Sequence, residues 1–138
     1  MAGAQAKKIF VNLPVKDLDR SVDFFTKLGF KFNAQFTDKN ATAMIVNDDA
    51  FVMLLVEEFF KSFTKKGITD ATSQTEVIMA LSAASKEDVD ELVSKAFAAG
   101  GRPANDDQDQ GFMYTRSFQD PDGHLWEVFW MDPTTIQQ

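Results

Sequence analysis

Apolar residues recur along the first half of the chain with two periods, one typical of strands and one typical of helices. Residues 9–13 are predicted to form a strand, and a helix is expected to follow it. Asp17 or Asp19 can serve as the N-cap of this helix, and Gly29 is expected to end it. The apolar face of the helix consists of four residues: Leu18, Val22, Phe25 and Leu28. The chain is therefore expected to open with a strand and an amphipathic helix.

Three further strands are predicted in the first half, because alternating apolar stretches are separated there by short polar turns. They lie at residues 30–37, 41–46 and 51–56. Residues 57–75 contain a short predicted helix and a segment that joins the two halves of the chain. The first half is thus predicted to have the order βαβββ.

The second half repeats this order, which indicates two related modules. A strand is predicted at residues 76–82, followed by a helix with Ser85 as its N-cap and Gly100 at its end. Three strands complete the second module, at residues 102–104, 112–118 and 124–130. The acidic segment at residues 105–110 is expected to be a solvated loop.

The stretch at residues 118–132 combines a tight turn with a strand that carries a single carboxylate. Pro121 restricts φ to about −65° and Gly123 tolerates a positive φ, as tight turns require. Glu127 then follows among the aliphatic and aromatic residues of the predicted strand. Burying a carboxylate without a metal ion, a hydrogen-bond donor or water is costly. Glu127 is therefore predicted to face a solvent-filled pocket or to bind a ligand or ion.

Composition narrows the class of protein. The 138 residues suit one compact domain, and 14 of them are phenylalanines that can fill a core. No apolar run approaches the roughly 18 residues that a membrane span needs, so we expect a soluble protein with no membrane partner. The net charge of −7 and the scattered basic residues argue against a nucleic-acid partner. With no cysteine and no apolar signal-peptide core near the N-terminus, a cytoplasmic location is expected.

Three stretches of the sequence form a recognisable combination: residues 11–30 (VNLPVKDLDRSVDFFTKLGF), residues 98–103 (AAGGRP) and residues 118–130 (FQDPDGHLWEVFW). Together they resemble the vicinal oxygen chelate superfamily, which contains glyoxalases, extradiol dioxygenases and bleomycin-resistance proteins. The resemblance implies an α+β fold in which two βαβββ modules form a curled mixed-sheet cup. Residues 1–138 would then form one domain, with module 1 at about 8–57, a linker at 58–75 and module 2 at about 76–132.

The resemblance also implies where enzymes of the superfamily hold a divalent metal ion. The corresponding positions lie on the first and fourth strands of each module: Phe10, Leu54 or its neighbour, Ile78 and Glu127. Only Glu127 has a metal-binding side chain, and a slip of one or two residues adds only Asn12 and Glu76. Because a divalent ion held by protein needs about three or more good donors, no metal ion and no cofactor is expected.

His124 is the only histidine of the chain and lies three residues before Glu127. In a strand, side chains three residues apart point to opposite faces. His124 is therefore predicted to be a turn residue at the entrance of the strand rather than a metal ligand or a base. The catalytic residues of any enzymatic reaction stay unknown, with Glu127 as the candidate.

The alternation of strand side chains gives the predicted lining of the cup, if Glu127 points inward. The inward-facing residues are then Phe10, Asn12, Val52, Leu54, Val56, Ile78, Ala80, Ser82, Leu125, Glu127 and Phe129, with Tyr114 or Arg116 as further polar candidates. The predicted ligand-binding residues are Phe10, Asn12, Leu54, Ile78, Ser82, Tyr114, Glu127 and Phe129. A mostly apolar lining with a few polar groups is typical of a ligand pocket. The alternative is that the same residues fill a closed core.

Two functions are supported by these features. The favoured one is a metal-independent small-molecule binding protein of the glyoxalase and bleomycin-resistance type, in which a hydrophobic cup holds the ligand and Glu127 orients it. The alternative is a glyoxalase-like or dioxygenase-like lyase or isomerase that uses Glu127 as a base or metal ligand, so enzymatic activity is left open. A dimeric interaction module with a filled cup is a third reading. The resemblance also implies a homodimer, since cups of the superfamily are often completed by a second chain.

Overall fold

Two mixed β-sheets and their helices make up residues 3–135, the part of the chain that the computed structural model describes. The strands are β1 Ile9–Val15, β2 Lys31–Asn33, β3 Ala41–Asn47, β4 Ala50–Val56, β5 Ile78–Ser82, β6 Arg102–Pro103, β7 Gln108–Asp109, β8 Met113–Gln119 and β9 Leu125–Met131. The α-helices are α1 Leu18–Leu28, α2 Glu57–Lys61 and α3 Lys86–Ala98. Single turns of 3-10 helix lie at Ala34–Phe36 and Pro133–Thr135.

The first sheet has the strand order β1-β4-β3-β2, with β1 parallel to β4 and the other neighbours antiparallel. Helix α1 connects β1 to β2 and lies against β4. The carboxylate of Asp17 caps this helix by accepting the backbone N–H of Arg20 at 3.1 Å. Gly29 ends the helix with a φ of 105°. Both predicted ends of the helix are confirmed, and Asp17 rather than Asp19 is the N-cap.

The second sheet has the strand order β5-β9-β8-β6, with β5 parallel to β9 and the short β7 paired with β8. Helix α3 lies against β8 and β9 and is capped by Ser85, whose hydroxyl accepts the backbone N–H of Asp88 at 3.1 Å. Apart from β7 and α2, the order of strands and α-helices is the same in both halves of the chain. The predicted α+β fold, built from two βαβββ modules with mixed sheets, is confirmed.

Two local predictions are wrong in part. The strand expected at residues 30–37 ends at Asn33, because the Asn33 side chain accepts the backbone N–H of Gln35 at 2.9 Å and a turn of 3-10 helix begins there. The acidic segment at residues 105–110 is exposed to solvent as expected, but it is not all loop, because Gln108–Asp109 form β7 by pairing with β8. A side-chain hydrogen bond accounts for the first difference, and backbone pairing with β8 accounts for the second.

The chain divides into two compact units between Ile68 and Thr69. This boundary lies within residues 58–75, the segment that the sequence predicts as a linker. The assignment of the whole chain to one domain stays a prediction. Within residues 3–135, no helix is long and apolar enough to cross a membrane.

The sheet face that carries the helix forms the core of each unit. In the first unit the large buried side chains of this face and its helix include Leu13, Val15, Phe24, Phe25, Met44 and Leu54. In the second unit they are Val89, Val93, Phe118, Trp126 and Val128. Burial of each large apolar side chain contributes about 1.5–3 kcal/mol. The helix-facing side of each sheet is therefore committed to folding, and a ligand site has to use the other side.

Replacing Gly123 by alanine should destabilise the protein more than the same change at Gly100. Both glycines have a positive φ, 89° and 105°, which costs an alanine about 1–2 kcal/mol. At Gly123 the new Cβ would lie 2.9 Å from the carbonyl oxygen of Ala71, whereas at Gly100 it would meet nothing within 4 Å. We expect Gly123→Ala to lose at least about 1 kcal/mol more in free energy of unfolding, measured by urea denaturation. Equal losses at the two positions would contradict this packing.

Candidate functional site

The pairing of β1 with β4 decides which first-unit residues share a face. Phe10 lies beside Phe51 and Asn12 beside Met53, so these four side chains point to the same side of the sheet. Leu54 lies beside Leu13 instead and is fully buried. The prediction that Leu54 shares a face with Phe10 and Asn12 is therefore wrong.

The same correction applies to Val52 and Val56, which lie beside Val11 and Val15 in the parallel register. The physical reason is the period of two in a strand, because a count that is off by one residue moves every side chain to the other face. Met53, a neighbour of Leu54, occupies the position next to Asn12.

The exposed Phe10 and the half-buried Phe51 form an aromatic pair in the first unit. Their rings are stacked with centroids 4.9 Å apart and an interplanar angle of 13°. The Phe10 side chain is still 48% exposed, and Nζ of Lys8 lies 5.5 Å from the centroid of the Phe51 ring. The amide nitrogen of Asn12 donates to the carbonyl oxygen of Phe10 at 3.3 Å. These residues form an apolar surface with a cation at its edge.

In the second unit, the parallel register of β5 and β9 brings the predicted site residues together. Ile78 lies beside Leu125, Ala80 beside Glu127 and Ser82 beside Phe129. These six side chains share one face of the sheet, as predicted. Residues Ile78, Ala80 and Ser82 are exposed, while Leu125, Glu127 and Phe129 are half-buried.

The carboxylate of Glu127 has no hydrogen-bond donor and no ion-pair partner among residues 3–135. Ala80 flanks it on one side and Ser117 on the other. The Ser117 hydroxyl is engaged elsewhere, since it accepts the backbone N–H of Asn105 at 2.8 Å and donates to the Asn105 carbonyl oxygen at 3.2 Å. Both oxygens of the Glu127 carboxylate are therefore available to a ligand.

The donors around Glu127 do not fit a divalent metal ion held by the protein. Neither Ala80 nor Ile78 has a donor atom in its side chain, and Glu76 lies outside β5, which begins at Ile78. In the described part of the chain, no three His, Cys, Asp or Glu side chains are grouped so that they could hold a metal ion. A metal ion held by protein needs about three or more such ligands.

A second carboxylate, Asp120, lies only seven residues from Glu127 but is buried in the turn before β9. Its oxygens accept the backbone N–H groups of Asp122 (2.9 Å) and His124 (3.0 Å) and the indole N–H of Trp126 (3.0 Å). Burial raises the pKa of the Asp120 carboxyl, and the electrostatic effect of His124 and the Trp126 hydrogen bond offset part of this rise. His124 is itself buried in this turn, directly before β9. Asp120 thus stabilises the turn by accepting three hydrogen bonds. This role was not predicted from the sequence.

Tyr114 and Arg116 lie on the helix-facing side of the second sheet, beside Trp130 and Val128. The Tyr114 hydroxyl donates to the Asp90 carboxylate of α3 at 2.6 Å, and Nη1 of Arg116 donates to the same oxygen at 3.0 Å. The prediction that Tyr114 or Arg116 shares the Glu127 face is therefore wrong. These two hydrogen bonds attach α3 to the sheet. Their acceptor, Asp90, lies more than 20 residues away in sequence, so no local sequence pattern predicts the contact.

Comparison with known proteins assigns the chain to a family. Residues 9–128 match the Glyoxalase/Bleomycin resistance protein/Dioxygenase superfamily, and the chain belongs to it. The resemblance seen in the sequence is thereby confirmed. A search among curated proteins found no match.

Several solved structures share the fold. A hypothetical protein from S. aureus is 27% identical, with a TM-score of 0.77 over 92% of this chain and 95% of that chain. A lactoylglutathione lyase from Agrobacterium tumefaciens is 15% identical, with a TM-score of 0.70 over 97% of this chain and 100% of that chain. A glyoxalase/bleomycin resistance protein/dioxygenase family enzyme from Burkholderia phytofirmans is 16% identical, with a TM-score of 0.73 over 88% of this chain and 96% of that chain. The last two show the fold alone.

Removing the charge of Glu127 should have little effect on stability, whereas the same change at Asp120 should be costly. Glu127→Gln breaks no hydrogen bond within the described residues, so its free energy of unfolding should stay within about 0.5 kcal/mol of wild type. Asp120→Asn replaces one acceptor oxygen by an amide NH2 group that would face the indole N–H of Trp126, so two donors meet. This change should cost about 1–3 kcal/mol in free energy of unfolding. Urea denaturation of the three proteins at neutral pH makes the comparison. A large loss for Glu127→Gln would show that Glu127 is needed for folding.

Tyr114, the only tyrosine of the chain, should resist deprotonation. Its hydrogen bond to Asp90 raises the pKa of the phenol from 10.0 to about 12. A raised pKa means that this stabilisation is present below pH 10 and is lost as the pH rises through about 12. Titration of the tyrosinate absorbance should give a midpoint near 12, and Asp90→Asn should move the midpoint back toward 10. A wild-type midpoint near 10 would mean that Tyr114 is not bound to Asp90 in solution.

Proposed function

We propose that this protein binds a small, largely apolar molecule without a metal ion, and that Glu127 orients the ligand. The observation that carries the proposal is the half-buried Glu127 carboxylate, which has no partner within residues 3–135 and lies on a mostly apolar face of the second sheet. No hydrogen bond or ion pair of this carboxylate within the described residues stabilises the fold. Its presence is explained if it contacts a ligand.

The surroundings of Glu127 are suited to an apolar ligand. Ile78 is 49% exposed although it lies in a strand of the second sheet, next to the half-buried Leu125. Ligand sites are mostly apolar with a few polar groups that set orientation. Membership of a superfamily that includes bleomycin-resistance proteins supports the same reading. The ligand-binding roles of Phe10, Asn12, Ser82 and Phe129 stay predictions.

An enzyme of the lyase or isomerase kind is the second candidate function. The observation in its favour is again the Glu127 carboxylate, because a base without hydrogen-bond donors keeps its lone pairs available for proton abstraction. The donors around Glu127 do not fit a metal-assisted reaction, so the residue would act as a general base on its own. The two candidates differ in one measurable respect, since only the enzyme converts the bound molecule.

Ligand binding should depend on Ile78 and should survive removal of metal ions. Nile red, a neutral apolar dye, should bind with a fluorescence increase, and Ile78→Ser should weaken this binding by about tenfold because apolar contact area is lost. Ile9→Ser is the matched control, since Ile9 is 58% exposed but lies in the first unit. Chelation with EDTA should leave binding unchanged, and elemental analysis should find no stoichiometric divalent ion. A retained ion whose removal abolishes binding would overturn metal independence.

A homodimer is proposed as the state of the protein in solution. Exposed apolar side chains support it, among them Phe36, Phe63 and Phe112. Light scattering at micromolar concentration should give about twice the chain mass of 15.5 kDa. A single species of 15.5 kDa would contradict the dimer.

The expectations about cellular location and about nucleic-acid and membrane partners come from the sequence alone. A cytoplasmic location stays a prediction. The lack of a nucleic-acid partner stays a prediction based on the net charge of −7 and the scattered basic residues. The lack of a membrane partner stays a prediction based on the absence of an apolar run of roughly 18 residues.

A further inference from the structure

The charges of the chain are divided unequally between its two units. Residues Thr69–Gln138 contain 13 of the 21 acidic residues but only 4 of the 14 basic ones, a formal charge of −9 with His124 neutral. Residues Met1–Ile68 contain the other 10 basic and 8 acidic residues, a formal charge of +2. The unit that carries Glu127 therefore has a strongly negative field, which attracts cations and repels anions.

The basic residues of the second unit do not neutralise Glu127. Lys86 pairs with Asp109, Lys95 with Glu91, and Arg116 with Asp90 and Asp107. Arg116 also lies on the opposite face of the sheet from Glu127, as its register beside Val128 shows.

Arg102 is the fourth basic residue of this unit; it forms no ion pair within the described residues, and its strand is two strands away from β9. It lies in β6 beside Gln119, and β8 separates it from the strand of Glu127. Along β9, the position level with Arg102 is Leu125, two residues from Glu127. The ion pairs of the described residues therefore leave one negative charge on this face without a positive partner.

The charge of the ligand matters because the Glu127 face is partly apolar. An apolar molecule that covers Leu125 and Phe129 takes water away from the carboxylate between them, which is costly unless the ligand supplies a compensating group. A cation compensates the lost hydration, and its attraction to the carboxylate is stronger beside apolar side chains than in bulk water. A neutral ligand lacks this compensation, and an anion adds repulsion.

We infer that the ligand is an organic monocation, a protonated amine or quaternary ammonium group attached to an apolar body. The cationic group binds the Glu127 carboxylate, and the apolar body contacts Ile78 and Leu125. Adjacent positions on one face of a strand are about 7 Å apart, so a chain of a few carbons ending in a ring spans the distance. This inference rests on the proposed function, because it names the ligand class of the same site.

Three probes that share an apolar body but differ in charge test the inference: phenylbutylamine, phenylbutanol and phenylbutyrate. Isothermal titration calorimetry at neutral pH should show that wild type binds the amine at least about tenfold more tightly than the alcohol, and the acid least tightly. Glu127→Gln should reduce the affinity for the amine to that for the alcohol and leave the alcohol unchanged. Added salt should weaken binding of the amine only.

A matched variant separates the local effect of Glu127 from the net charge of the unit. Glu87→Gln removes the same charge from an exposed position on α3, the helix that packs on the other face of the sheet. It should keep at least most of the tenfold preference for the amine. Loss of the preference in Glu87→Gln as well would mean that the field of the whole unit, and not Glu127, selects the ligand, and would overturn the inference.

The outcomes also distinguish this inference from the proposed function. If the three probes bind wild type equally, or if the preference for the amine survives in Glu127→Gln, the ligand class is wrong while small-molecule binding stands. If neither the three probes nor Nile red binds, the proposed function fails and the inference fails with it.

Discussion

The parallel pairing of β5 with β9 determines the surroundings of Glu127. Because neighbouring residues in adjacent strands point to the same side, the pairing brings Ala80 next to the carboxylate and puts Ile78 and Leu125 at one end of the site. A shift of this register by one residue would exchange the two faces and bring Glu127 to the helix-facing core. The site, the core beneath it and the attachment of α3 therefore depend on the same set of backbone hydrogen bonds.

Two carboxylates in one short stretch of sequence show how backbone geometry decides the role of a residue. Asp120 lies in a turn, where backbone N–H groups are not used by a neighbouring strand and are available to its side chain. Glu127 lies within β9 between β5 and β8, where the backbone N–H groups are engaged in the sheet. The first carboxylate consequently stabilises the turn, and the second is left to interact with solvent or a ligand.

The features that could be predicted from the sequence are those that depend on residues close together in the chain. The caps at Asp17 and Ser85 are hydrogen bonds across three residues, and the turn at Asp120 to Gly123 is equally local. The face occupied by Leu54 depends on its pairing with Leu13, 41 residues away, and the orientation of Tyr114 depends on Asp90, 24 residues away. Such contacts are formed only by the complete fold, and the periodicity of a single strand does not contain them. The order of elements was predictable because each element has its own pattern.

The close approach of Gly123 to the backbone of Ala71 and Thr72 links the start of the second unit to the turn that leads into the site strand. Residues inserted before Thr69, at the boundary between the units, leave this contact in place. An insertion at this boundary is therefore compatible with an intact Glu127 site. Residues added between Ala71 and Thr72 would displace the backbone against which Gly123 packs and would move the start of β9. The linker thus contains both a segment that tolerates changes of length and a segment that does not.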